Sequence, residues 1–221
     1  MKINKRLPLA LTVSIGVIGI LIGFNMTKNN QKLPVYAPTN VNPRLVDASL
    51  QHKSHGHFIS DFELINQDGE TVTEKNLQGK IYVADFFFTT CPTICPKMAD
   101  QMVRINEAYS EDPEIMLVSH TVQPEVDSVP VLKEYAELHG ADPAKWIFLT
   151  GDKKQIYDLA RKSYFAAVTE GDGGVDDFIH TENFVLIDKN KMIRGFYDGT
   201  SKEDIDKLIA DIAILKKEYE S

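Results

Sequence analysis

Residues 80–88 constrain the fold of this chain more than any other segment. The run is almost continuously apolar and rich in β-formers, with no polar–apolar alternation. Such a strand must be covered on both faces, as strands are inside an α/β sheet. The flanking segments agree. Residues 58–65 read as a short strand, Asn66-Gln67-Asp68-Gly69 supplies turn residues, and residues 71–73 return, which makes an N-terminal β-hairpin. Residues 96–109 have helical spacing, with Met98, Met102, Ile105 and Tyr109 on one side. Residues 115–119 form a second buried strand, and residues 128–138 a helix capped by Asp127 or Ser128 and ended by His139-Gly140. Residues 146–149 are a strand, 152–162 a helix, and 170–177 a polar insert expected to be flexible. Residues 181–187 and 192–197 close as a hairpin, and Ser201 caps a last amphipathic helix to about Tyr219. This order predicts an α/β domain, a thioredoxin-like core with an N-terminal β-hairpin.

A transmembrane helix is expected ahead of that domain. Lys2, Lys5 and Arg6 lie in the first six residues, and residues 7–26 carry no charge. About 20 apolar residues span a bilayer as a helix. The basic residues keep 1–6 in the cytoplasm, so everything after the anchor faces the outer, periplasmic side of the inner membrane. A retained single-pass anchor is preferred to a cleaved signal peptide, because no small-x-small site follows Ile22 and there is no lipobox cysteine. Residues 27–54, with Pro34, Pro38 and Pro43, read as a flexible tether, and residues 55–221 as the folded domain. A net charge of -8 argues against a nucleic-acid partner, whose phosphates need a basic face.

The chain has two cysteines, Cys91 and Cys95, within five residues, just after the apolar run and where a helix should start. In open α/β sheets chemistry collects at the carboxyl ends of strands. Pro92 and Pro96 favour a turn-to-helix entry, and helix N-terminal amides stabilise thiolates. Such a pair can close a disulfide, hold a soft metal, or do both at different times. Outside the cytoplasm it oxidises unless it is reduced or a metal occupies it. Two thiolates suit Cu(I) or zinc and leave Cu(I) one donor short of trigonal coordination. His180, between the polar insert and the closing hairpin, is the candidate third donor, although spacing alone leaves it an ordinary surface or core histidine.

At these residues the chain resembles the Sco (SenC-type) proteins, membrane-anchored thioredoxin-like domains that help load copper into cytochrome c oxidase. The likeness is carried by residues 86–98 (Phe-Phe-Phe-Thr-Thr-Cys-Pro-Thr-Ile-Cys-Pro-Lys-Met), 124–130, 146–151 and 177–188. It implies copper as the ion and Cys91, Cys95 and His180 as its ligands. As partner it implies the copper-accepting subunit of the oxidase, with a thiol reductase or another copper chaperone as a further one. Two departures bear on tuning. Thr93 stands where family members often carry Asp, and Ser119-His120-Thr121-Val122-Gln123-Pro124 replaces a common Ser-Val-Asp-Pro.

The function expected is a copper metallochaperone. Its rival is a thiol–disulfide oxidoreductase that reduces the cysteines of the accepting subunit, so enzyme activity stays open. Three residues rather than two separate the cysteines, which counts against the rival. A peroxidase is disfavoured by the lack of an arginine near the motif, and a redox or copper sensor is a further alternative. His52, His55 and His57 read as solvated tether residues before an auxiliary metal-collecting site. His120 lies near the site by topology, but reads as an ordinary structural histidine before a ligand or a neighbour of one. Met98 and Met102, at helical spacing, read as core rather than as soft ligands.

Overall fold

The computed structural model describes residues 32–46, 50–52, 54, 56–167, 171, 173–174 and 176–220. Residues 1–6, the expected anchor at 7–26, and His55 lie outside them. No helix among the described residues is long and apolar enough to cross a membrane.

Seven strands form one mixed sheet. They are β1 (Glu63–Asn66), β2 (Thr71–Thr73), β3 (Ile81–Phe87), β4 (Ile115–Thr121), β5 (Trp146–Thr150), β6 (Asn183–Ile187) and β7 (Ile193–Asp198), in the order β2-β1-β5-β4-β3-β6-β7. β3, β4 and β5 run parallel, and the two hairpins add antiparallel strands at either side. The helices are α1 (Ile94–Ala108), α2 (Val129–Leu138), α3 (Lys153–Asp158) and α4 (Lys202–Glu220). Every residue of β3 is buried, as its unbroken apolar run requires.

Alternate residues of β3 serve two cores. Ile81, Val83 and Phe87 pack with Met98, Met102 and Ile105 of α1, Leu132 of α2, and Ile205, Leu208 and Ile212 of α4. Tyr82, Ala84 and Phe86 face the other way, onto Ile156, Leu159, Tyr164, Phe165 and the segment holding Ile59 and Phe62. Met98 and Met102 are thus core residues, as their spacing indicates. Gly140 ends α2 at φ +64, the left-handed position that favours glycine after a helix.

Several boundaries differ from expectation. Residues 58–62 do not join the hairpin, because Ile59 and Phe62 are buried from an irregular segment whose Ile59 amide bonds the Lys191 carbonyl. The helix expected over 152–162 is α-helical only to Asp158 and continues as a π-helical turn, Leu159–Ser163. Ser128 is the N-cap of α2 but makes no side-chain cap bond. Part of the expected tether is docked. Tyr36 donates its amide to Ile193 O, Arg194 bonds the Leu33 and Pro34 carbonyls, and Val41 and Val46 are buried.

Candidate functional site

β3 delivers the chain into a short loop, residues 88–93, that enters α1. The first turn of a helix has amides without intrahelical partners. Thr93 occupies the N-cap without a side-chain cap bond. A sulfur takes that role instead, since the Cys95 amide donates to Cys91 Sγ at 3.5 Å. Thr93 Oγ1 lies 3.7 Å from the same sulfur, and the Cys91 amide donates to Phe88 O. Both cysteines are free and buried.

Their acidities diverge. Burial pushes the Cys91 thiol up, but hydrogen bonds from the Cys95 and Thr93 backbones and their side chains outweigh it, bringing it down to about 7. Burial pushes Cys95 up to about 12; a backbone bond involving Phe88 opposes this, and the neighbouring Cys91 and Asp85 charges add to it. The pair is one poised nucleophile and one thiol that holds its proton.

Two buried carboxyls lie near this loop, and sequence reading did not assign a site role to either. Asp85 projects from β3 into the α1 side of the sheet, where burial raises it to about 7, opposed by a hydrogen bond with Ser119. One of its oxygens, Oδ1, has no hydrogen-bond partner. The sequence signal was present, an acid inside an otherwise apolar strand. Asp127, fully buried before α2, accepts from the Thr89 amide (3.2 Å) and from the hydroxyls of Thr89 and Thr121. Thr90 Oγ1 donates to Gln123 Oε1 at 3.1 Å, so the β4–α2 loop grips the cysteine loop at consecutive threonines.

His180 is exposed at the start of the closing hairpin. Its ring lies 4.6 Å from that of Phe178 and 5.9 Å from that of Phe88, which in turn packs edge-on against Phe178 at 5.1 Å. Phe88 belongs to the cysteine loop, so this aromatic cluster joins the histidine segment to the thiol segment. The described residues nevertheless contain no group of three His, Cys, Asp or Glu side chains gathered closely enough to hold a metal ion. The two sulfurs are together, and His180 is beside their loop rather than on them.

His120 is not at this site. It lies in register with Phe86 on the opposite face of the sheet, stacked on that ring at 4.9 Å and surrounded by Phe62 and Tyr164. Alternation along β4 decides this: Ser119 and Thr121 face α1, and His120 faces away. Neither ring nitrogen has a partner, and burial depresses its pKa to about 4. His52 is exposed. His57 is docked on the π-helical turn, with Nε2 2.7 Å from Ser163 O and its ring stacked on Phe165.

Residues 50–217 match the SCO1/SenC family model. The "SCO1 protein homolog" of Bacillus subtilis is 33% identical over 156 residues, covering 70% of this chain and 80% of that protein. The structure of BsSco is similar, with TM-score 0.61 and 32% identity, covering 71% and 92% of the two chains; it is a member of the Sco family of cytochrome c oxidase assembly proteins in which a disulfide switch was identified. ScoI of Arabidopsis thaliana, solved with copper bound, has TM-score 0.56 and 30% identity, covering 74% and 99%. The thioredoxin-like α/β fold is shared with these structures.

Proposed function

Because this chain belongs to the SCO1/SenC family, we propose that it is a membrane-anchored metallochaperone that carries copper on Cys91, Cys95 and His180 to the copper-accepting subunit of cytochrome c oxidase. Members of the family act in oxidase assembly and have been solved with copper bound. The observation that carries the reading is the sulfur pair at the start of α1, one thiol brought down to about 7, with an exposed imidazole edge-on to Phe88 of the same loop. Two sulfurs and one imidazole select a soft ion and leave its shell open for an incoming donor. Binding draws the proton from Cys95 and moves His180 inward from its place beside Phe178 and Phe88. Residues 7–26 anchor the domain, and residues 27–54 link it to the outer face of the membrane. A protease added outside intact spheroplasts should then cleave the domain; protection would put it on the wrong side.

Anaerobic Cu(I) titration against a competing chelator tests the donors. One copper per chain is expected, at least about tenfold weaker in Cys91→Ser, Cys95→Ser and His180→Ala, since losing a donor costs more than losing an outer-shell partner. Unchanged affinity in His180→Ala removes the three-donor reading.

The contrast between the two thiols supports a second reading, thiol–disulfide exchange on the accepting subunit. Cys91 thiolate attacks a target disulfide, expelling one target thiolate and forming a mixed disulfide. Cys95, losing its proton, then attacks the Cys91 sulfur, releasing the second target thiolate and leaving the Cys91–Cys95 disulfide. This route needs no imidazole. Normal oxidase assembly in cells carrying His180→Ala, with loss in either cysteine variant, selects it over copper delivery.

A further inference from the structure

We propose that Arg161 is a positioning residue for His180, its two-pronged grip on Asp177 setting how far the histidine can reach toward the Cys91–Cys95 pair. The inference rests on the reading of His180 as the third donor. Both guanidinium NH groups of Arg161 donate to the Asp177 carboxylate, to Oδ2 and Oδ1, at 2.6 Å each. The same carboxylate accepts the Gly173 amide at 2.7 Å. Tyr157 supports the arrangement from behind. Its hydroxyl donates to the Asp177 carbonyl (3.2 Å) and the Val122 carbonyl (2.8 Å), and the Arg161 guanidinium lies 5.3 Å from its ring centre. The side chains of Arg161 and Asp177 are only 10% and 8% exposed, so salt screens this pair little. The Arg161 bond, followed by the Gly173 amide, holds the Asp177 carboxyl below its ordinary range against the effect of burial.

Downstream of His180 lies a second anchor. Thr181 Oγ1 and Asn183 Nδ2 both donate to Ala166 O, at 2.5 and 2.9 Å. Phe178, Ile179 and His180 therefore form a three-residue bridge between two fixed points, with Ile179 buried beneath it. A residue spans at most about 3.3–3.6 Å, so a bridge of this length confines the imidazole to a narrow arc beside Phe88. Asp177 is the upstream post, and it also holds Gly173. Releasing it frees the bridge and the loop behind it together. Arginine suits the task because its planar fork matches both carboxylate oxygens at once; a lysine supplies a single point charge. The arginine is carried by the π-helical turn, a local feature often found at functional sites.

The rival explanation is an ion pair that only stabilises the fold. Arg161→Lys and Asp177→Asn separate the two, each made alone and with His180→Ala in the full chain. Three readouts are needed: Cu(I) affinity by anaerobic competition, the nitrogen donor of the loaded site by X-ray absorption, and thermal midpoint without metal. Expected are a native fold, copper binding weakened about tenfold, the low end for outer-shell partners, and a diminished nitrogen signal. No further loss is expected in the His180→Ala background. Wild-type affinity and nitrogen signal in Asp177→Asn or Arg161→Lys, with His180→Ala weakened, overturn the proposal and leave the three-donor reading standing. Losses that add fully to that of His180→Ala overturn it too, because the pair then acts elsewhere. If Arg161→Lys fails to fold, Asp177→Asn, which keeps the side-chain shape, decides by the same criteria. Wild-type binding in His180→Ala alone removes both this proposal and the reading beneath it.

Discussion

Reduced protein treated with iodoacetamide across neutral pH is expected to react at Cys91 and to spare Cys95. With its thiol at about 7, Cys91 is half ionised at neutrality. An ordinary thiol of pKa about 8.5 is only about 3% ionised there, so Cys91 presents roughly 16 times more thiolate. A less basic sulfur is also a weaker nucleophile, by roughly fivefold over this interval at a Brønsted coefficient of about 0.45, which leaves a net advantage of about threefold. The pH profile is more telling than the rate. It should climb about tenfold per pH unit and level off near 7 rather than near 8.5. Cys95, at about 12, should stay below detection over the same range. Peptide mapping by mass spectrometry assigns the label. Cys95→Ser is a sharp control, because the amide that donates to Cys91 Sγ belongs to the backbone and survives the substitution. A Cys91 midpoint at or above 8.5 in that variant, or preferential labelling of Cys95 in the wild type, refutes the argument that helix-terminal amides hold this thiolate.

Copper affinity should depend on pH through the same two sulfurs, measured in His180→Ala, where they are the remaining proposed donors. Above about pH 7 one proton, from Cys95, must leave, giving about tenfold tighter binding per pH unit; below it two must leave, giving about a hundredfold. A flat profile above pH 7 means Cys95 does not bind as thiolate. His120 governs part of the acid limit of stability. Its folded pKa is depressed from about 6.5 to about 4, so the unfolded chain takes up the proton first, and stability present above about 6.5 is lost as pH falls toward 4. The loss comes to roughly 3 kcal/mol for this fully buried ring, or about 6–12 °C in midpoint. Asp85, raised to about 7, has the opposite sign and gains stability as pH falls through that value. His120→Leu should therefore gain on wild type by most of that amount as pH falls from 7.5 to 4.5, whichever is the more stable at pH 7.5; parallel melting curves would contradict the assignment.

The elements that were legible in the sequence are those whose neighbours are implied by their own pattern. β3 shows its burial through its unbroken apolar run, and α1 and α4 show theirs through spacing. The π-helical turn was not legible, because one extra residue in a turn hardly disturbs apolar spacing over five positions. Residues 58–62 misled because Ile59 and Phe62 are apolar for the core, not for a ladder. The cysteine pair could be found from spacing and its place after a buried strand. His180 could not be separated from an ordinary surface histidine without the resemblance, since its partners Phe88 and Phe178 meet it only in the fold. The side of the sheet that His120 faces is not legible, because topology gives only the end of a strand and register with Phe86 gives the side. The roles of Asp127 and Arg161 come from contacts with loops far away in sequence.

The pairing of β3 also sets an order of assembly. It lies between β4 and β6, and its Ala84 is matched with Val185. Ribosomes add about 5–20 residues per second, so β6 follows β3 by about a hundred residues and 5–20 s. For that interval the thiols sit on a nascent chain whose β3 lacks its β6 neighbour, open to oxidants and stray ions. A chain with many cysteines would risk scrambled cross-links at this stage. Here only one intrachain cross-link can form, and a single two-electron reduction reverses it.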